Sequence, residues 1–185
     1  MARVSVPAEM NVTHPNDGGR VQKLINLAVT TWHAAFPGGA AVNVTSGFTN
    51  PSSAEADRIP ELALAGGGTP GDYVITGTWN GEAQSETLTS VAGSSVKGTK
   101  PFDTITSVTG PDPVANLTLN KGDSWADPPC RYLYTGSGSA NCACQLIGES
   151  AVKTITGLPA GLDWKRRVRR VAHTTTTLTA PYFVW

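Results

Sequence analysis

Alternating apolar and hydroxyl-bearing residues in the middle of the chain predict a β-hairpin. Residues 73–79 are rich in β-branched and aromatic side chains, and residues 83–89 continue the alternation after the dipeptide Asn80-Gly81. An Asn-Gly pair suits the positive φ angles of a two-residue turn between antiparallel strands. We therefore expect two paired strands in this segment.

Short runs of the same kind recur along the chain, separated by turn-forming Gly, Pro, Asn and Asp residues. This spacing is typical of β-sandwiches and small barrels. The fold class that we expect is mainly β, with two small antiparallel sandwich-like or barrel-like units. Besides the hairpin, the predicted strands span residues 4–12, 94–99, 102–108, 114–120, 130–134, 141–147, 152–155, 164–171 and 181–185.

One segment near the N-terminus also fits a helix. Between Val21 and Trp32, apolar side chains recur at the i, i+3, i+4 and i+7 spacing of a helical stripe. Residues 28–32 would serve equally well as a strand, because Val and Thr favour extended backbone. A short N-terminal helix and a strand are therefore alternatives.

Two interruptions organise the chain. Residues 49–70 are rich in Pro and Gly and predict an extended loop, of a kind that often contacts a neighbouring subunit in an assembly. Residues 121–129 end in two prolines and break the strand pattern. The sequence therefore predicts an N-terminal β domain over residues 1–125, containing the loop, and a smaller β domain over residues 126–185.

Charge does not indicate a partner for this protein. Charged residues form 15% of the chain, with 14 basic and 14 acidic side chains, against about 25% in average domains. A neutral chain has no global field that would attract nucleic acid or an anionic membrane. No apolar run approaches the roughly 20 residues of a membrane span, and the N-terminal residues do not fit a secretion signal. We expect synthesis in the cytoplasm and no membrane partner.

The sequence carries no recognisable catalytic, cofactor-binding or metal-binding motif. Its three His residues lack acidic neighbours, and nucleophile-elbow, zinc-protease and phosphate-loop patterns are absent. The carboxylate pairs Glu82 with Glu86 and Asp123 with Asp127 are interpreted as solvated turn residues, not as glycosidase acids. We therefore expect a protein that is not an enzyme and has no catalytic residue, cofactor or metal.

Three cysteines, Cys130, Cys142 and Cys144, lie close together in the chain. The Cys-x-Cys spacing does not fit the usual zinc sites, which place at least two residues between paired ligands. Buried free thiols are one interpretation. A disulfide formed in an oxidising medium, with Cys130 and Cys144 as the candidate pair, is the other.

One strong charge cluster stands out near the C-terminus. It consists of Lys165, Arg166, Arg167, Arg169 and Arg170. In a single strand these side chains would point alternately to opposite faces, whereas a nucleic-acid groove prefers one-sided charge with aromatic residues. The interpretation that we favour is structural, with long Arg stems that cover a sheet and pair with carboxylates. The functional alternative is an interface formed by these five residues, which would bind packaged DNA or an acidic neighbouring subunit.

Several weak motifs in the last third of the chain occur in a characteristic order. They are Cys130-Arg131-Tyr132-Leu133, Leu158-Pro159-Ala160-Gly161, Val168-Arg169-Arg170-Val171, the threonines of residues 174–177 and the final Trp185. In this order they resemble the small β domain of spike-base proteins on the heads of gene transfer agents and related phages. Residues 75–78, 86–89 and 100–108 look like a strand series that recurs in phage virion proteins.

These resemblances imply a structural subunit of a tailed-phage virion, made in the host cytoplasm. It would attach to the capsid surface or a vertex, as a decoration or spike-base protein, and act through its interfaces as a homo-oligomer. Its partners would be other virion proteins, such as capsid, neck or fibre subunits, and not nucleic acid. A collar, neck or tail-associated protein is one alternative. A receptor- or glycan-binding spike module, using aromatics such as Trp79, Trp125 and Tyr182, is another.

Overall fold

The computed structural model describes residues 22–25, 27, 30–52, 55–126, 129–136, 140–179 and 181–185, and every helix or strand assigned within them is a β-strand. The mainly β fold class is therefore confirmed. Within these residues, no helix has the length and apolar character needed to span a bilayer. The strands are β1 (Gln22–Leu24), β2 (Thr30–Phe36), β3 (Val42–Val44), β4 (Asp57–Leu64), β5 (Asp72–Trp79), β6 (Glu82–Thr89), β7 (Ser94–Lys97), β8 (Thr104–Gly110), β9 (Leu117–Trp125), β10 (Tyr132–Tyr134), β11 (Ala140–Leu146), β12 (Lys153–Leu158), β13 (Asp163–Trp164), β14 (Val168–Val171) and β15 (Tyr182–Val184).

The strands belong to two compact units. The central unit comprises the described parts of Ala28–Pro51 and Asp57–Asp123. The C-terminal unit comprises the described parts of Met1–Leu27, Ser52–Ala56 and Ser124–Trp185. Strand β9 therefore contributes its last two residues to the C-terminal unit.

The predicted domain boundary falls close to the point at which the chain passes from the central to the C-terminal unit. The prediction also placed all of residues 1–125 in one domain. In the structure, β1 pairs antiparallel with β15, and Leu24 lies opposite Tyr182. Because pairing between distant segments leaves no local sequence pattern, the observed division differs from the predicted one for these residues.

Two antiparallel sheets supply the core of the central unit. One has the strand order β3-β8-β5-β6, and in the other β9 pairs with both β4 and β2, while β7 pairs with β4. Buried side chains of both sheets form one hydrophobic cluster, as in a β-sandwich. Members of this cluster include Trp32, Leu62, Tyr73, Ile75 and Phe102.

The predicted hairpin is confirmed. Strands β5 and β6 pair along their full length without a register shift. The turn residues Asn80 and Gly81 have φ angles of 52° and 80°. Positive φ at both positions matches the twist of the flanking strands, which is why this dipeptide closes the hairpin.

The predicted loop over residues 49–70 is wrong at its centre, where β4 forms. All residues of β4 except Ala63 are buried. Pro60 cannot donate to the sheet, but its carbonyl accepts a hydrogen bond from Gly98 N at 2.8 Å. Arg58 is 1% exposed, because its guanidinium donates to two carbonyls of β9. Because proline and charged residues are unusual in core strands, the sequence pattern did not indicate β4.

The predicted helix over residues 21–32 is also wrong for the described part of that segment, which contains β1 and the start of β2. Strand β2 pairs with β9, and Trp32 and Phe36 are 0% and 3% exposed. The strand alternative is therefore confirmed for residues 30–32. The predicted strand over residues 4–12 lies outside the described residues.

The C-terminal unit is also built from antiparallel strands. One sheet has the order β1-β15-β10-β13, and in the other β11 lies between β12 and β14, which pairs with the last two residues of β9. Its hydrophobic cluster includes Ile25, Cys130, Leu133, Val171 and Phe183. Each predicted strand from residue 130 onward coincides with at least one observed strand.

Candidate interaction surface

The predicted strand over residues 164–171 is split in two, and the split exposes its basic side chains. Residues 165–167 connect β13 to β14, and Arg166 N donates to Trp164 O at 2.7 Å across the bend. Trp164 is fixed opposite Leu133 in β10, and Val168 O accepts from Cys130 N at 3.1 Å. Both ends of the connection are thus held by backbone pairing, and the side chains of residues 165–167 are exposed.

The same pairing places a further cation beside this connection. In an antiparallel pair, residues before Leu133 run alongside residues after Trp164. Arg131 and Lys165 consequently line one open cavity of about 430 Å³, together with Tyr132 and Asp163. Tyr132 is 8% exposed, whereas the three charged residues are exposed. The cavity therefore carries two cations and one carboxylate.

Four exposed cations form what we call the basic cluster: Arg131, Lys165, Arg166 and Arg167. Ion pairs among the described residues join Lys97 to acidic residues of the central unit and Lys153 to Glu149. No side chain of the basic cluster takes part in an ion pair or a hydrogen bond with any described residue. The predicted carboxylate pairing is therefore wrong for Lys165, Arg166 and Arg167 within the described structure.

Arg169 and Arg170 behave differently from their three neighbours. Both are half-buried in β14. The guanidinium carbon of Arg169 lies 5.7 Å from the ring centroid of Trp125, within cation–π range. Arg170 pairs through the backbone with Trp125 and Gln145. The prediction that Arg stems cover a sheet therefore fits these two residues, and the five predicted interface residues divide into two sets.

Two exposed aliphatic side chains lie at the turn that adjoins the basic cluster. Ile147 N donates to Arg167 O at 3.0 Å, which fixes the end of β11 beside the basic connection. Ile147 is 43% exposed, and Val152, on the other side of the same turn, is 37% exposed. The basic cluster thus has an apolar neighbour, which the sequence pattern did not indicate.

All three cysteines are buried free thiols in the core of the C-terminal unit. Burial raises the pKa of Cys130 to about 12. The Cys142 thiol donates a hydrogen bond to the Cys144 sulfur, which raises the pKa of Cys142 and lowers that of Cys144. The candidate Cys130–Cys144 disulfide is not formed in this structure and stays a prediction for oxidising conditions.

Two acidic residues that were interpreted as solvated are buried. Glu86 is 9% exposed and accepts hydrogen bonds from Thr99 N and Thr99 Oγ1 at 2.7 and 2.8 Å. Asp123 is 1% exposed and accepts from Lys97 Nζ at 2.8 Å. The interpretation as solvated turn acids is therefore wrong for these two carboxylates, which serve as structural acceptors. Glu82 is exposed, and Asp127 lies outside the described residues.

The structure describes two of the three histidines, His33 and His173. His33 stacks on Phe36 with ring centroids 4.7 Å apart, and His173 is 8% exposed. His14 lies outside the described residues. In the part of the chain that is described, no group of three or more His, Cys, Asp or Glu side chains is placed to hold a metal ion.

The aromatic side chains considered for glycan binding are half-buried. Trp79 Nε1 donates to Asp57 Oδ2 at 3.1 Å, and Tyr182 has its ring 6.2 Å from that of Tyr134. Trp125 lies under Arg169. Every described Phe, Trp and Tyr side chain is buried or half-buried.

Comparison with known proteins found no match. No protein-family model matches the sequence, and no curated protein or solved structure is significantly similar to it. In the described residues, the fold and the surface define an all-β arrangement of two compact units, with an exposed basic cluster on the C-terminal one.

Proposed function

We propose that the chain is a structural subunit of a tailed-bacteriophage virion, attached to the capsid surface or a vertex and acting through its interfaces. The observation that carries the proposal is that the motifs resembling a spike-base domain, although separate in sequence, bond to one another within the C-terminal unit.

Thr135 illustrates this bonding. It follows the Cys130–Leu133 motif and the strand β10, and its hydroxyl donates to Pro159 O at 2.7 Å and accepts from Leu162 N at 2.9 Å. The Leu-Pro-Ala-Gly turn is therefore held by the segment that contains the first motif. Gly161 N adds a further bond to Gly136 O at 2.7 Å.

The other motifs are bound to the same framework. Val168 O accepts from Cys130 N, which links the Val-Arg-Arg-Val strand to the first motif. Thr176, in the threonine-rich segment, accepts through its hydroxyl from Ala143 N at 2.9 Å. The ring of Trp185 lies edge-on to Phe183, with centroids 6.0 Å apart. The residues that carry the resemblance therefore lie within the hydrogen-bonded and packed framework of the C-terminal unit.

An assembly role also suits the basic cluster. Exposed cations without internal counter-ions contribute little to the stability of their own fold. Across an interface they steer association and fix orientation. In a symmetric particle each contact can be weak, because repetition multiplies the affinity.

The test is quantitative mass spectrometry of purified particles from the phage that encodes this chain, with the major capsid protein as reference. We expect the chain to co-purify with particles through a density gradient. Hundreds of copies per particle would mean capsid decoration, and about a dozen or a few dozen would mean vertex, collar or tail attachment. Its absence from intact particles would overturn the proposal.

A further inference from the structure

We infer that the basic cluster and the cavity beside it form a docking site for an acidic segment of a neighbouring protein. This inference rests on the proposed function only in identifying the occupant as a protein neighbour. The chemistry of the site, an anion-binding surface with an apolar edge, follows from the C-terminal unit alone.

The charges of the surface suit an anionic occupant from outside this chain. Arg131 and Lys165 line one cavity with Asp163, and Arg166 and Arg167 follow Lys165 directly in the chain. Since none of the four pairs with a described carboxylate, each can accept an external anion without breaking an internal bond. The guanidinium of Arg131 can bind a carboxylate through two parallel hydrogen bonds.

The geometry favours a side-chain carboxylate at the cavity. Arg131 and Lys165 line the same space of about 430 Å³, which suits one or two side chains. Backbone pairing on both sides, through Trp164 and Val168, holds the basic connection in place before a partner arrives. Such preorganisation lowers the entropic cost of binding.

The apolar edge distinguishes a peptide from nucleic acid. Ile147, whose N donates to Arg167 O, adjoins the cluster and offers contact to an aliphatic side chain, which a phosphate backbone does not carry. Proteins that bind single strands stack bases on exposed aromatic rings. Of the rings in the strands and ends that border this site, Tyr132 is buried, and Trp164 and Trp185 are half-buried. An acidic segment containing aliphatic residues fits both parts of the surface.

The experiment measures fluorescence anisotropy of a short labelled peptide of alternating Glu and Leu, titrated with the full chain at physiological salt. We expect saturable binding, and no binding of the same peptide with Gln in place of Glu. The double variant Arg131→Ala, Lys165→Ala should bind about tenfold more weakly. Lys153→Ala is the matched control, because it removes an exposed cation of the same unit that pairs with Glu149.

Circular dichroism of each variant verifies the fold, which these exposed substitutions should leave intact. Equal affinity for the Gln peptide, or an equal loss in the Lys153→Ala variant, would overturn the inference. Tighter binding of a short DNA duplex at the same salt, with the same sensitivity to Arg131 and Lys165, would overturn the protein partner in favour of nucleic acid. Failure here with the chain present on particles would leave the proposed function standing.

Discussion

Arg58 provides a sharp test of how the central unit is held together. Its side chain is 1% exposed within β4, and it donates from Nε and Nη2 to Gly122 O at 2.9 and 2.6 Å and from Nη2 to Lys121 O at 2.7 Å. These side-chain to backbone hydrogen bonds connect β4 to β9. The substitution Arg58→Met keeps most of the volume and removes every one of these donors.

We expect Arg58→Met to lower the free energy of unfolding by about 3 kcal/mol. A hydrogen bond from a charged donor contributes roughly 1.5–3 kcal/mol, and a buried acceptor that loses its donor costs about 1–3 kcal/mol. Relief from burying the guanidinium charge offsets part of this loss. Arg58→Lys should recover a fraction only, since an ammonium group cannot reproduce the planar fork.

Urea denaturation followed by circular dichroism measures the effect, and hydrogen exchange of β4 and β9 amides localises it to the central unit. Arg167→Met is the control, because it makes the same chemical change at an exposed position and should alter stability by less than about 0.5 kcal/mol. A stability of Arg58→Met within about 0.5 kcal/mol of the unsubstituted chain would refute the reasoning, as would full stability of Arg58→Lys.

Three further predictions concern backbone packing and the buried thiols. Gly77→Ala would place a Cβ against the carbonyl oxygen of Thr104; we expect a loss of about 2 kcal/mol in urea denaturation, and Gly66→Ala, where space is open, should cost less than about 0.5 kcal/mol. Burial raises the pKa of Cys130 from 9.0 to about 12, so stability should be full below pH 9 and fall by about 1.4 kcal/mol per pH unit up to pH 12. If the free energy of unfolding changed with pH in the same way in the unsubstituted chain and in Cys130→Ala, this prediction would be wrong. After oxidation, peptide mapping without reductant should find a Cys130–Cys144 disulfide. Cys130 and Cys144 thiols that remain free after oxidation would contradict the disulfide prediction.

The central β-hairpin and the strands after residue 94 could be predicted because their signals are local. Val, Ile and Thr fit a half-buried pleated surface, and Asn80-Gly81 fits one turn geometry, whatever the rest of the chain does. The same local logic failed at β4. Pro60 and Arg58 argue against a core strand when read by themselves, and they are accommodated only because a neighbouring strand supplies acceptors and leaves the proline N without a required partner.

The candidate surface was predicted in part. The run of basic residues marked a charge cluster, but the pattern could not show that Lys165 to Arg167 are exposed while Arg169 and Arg170 are half-buried. Arg131 was missed as a member of the cluster, since only the pairing of β10 with β13 brings it beside Lys165.

By itself, the sequence determined the β class, the hairpin and the approximate positions along the chain of strands β10, β11, β12 and β15. Each of these depends on side-chain preferences that act over a few residues. The tertiary structure decided which carboxylates are buried, how the basic run divides and which unit receives β1. These outcomes depend on hydrogen-bond partners that arrive from distant segments, and the chain encodes such partners only through the completed fold.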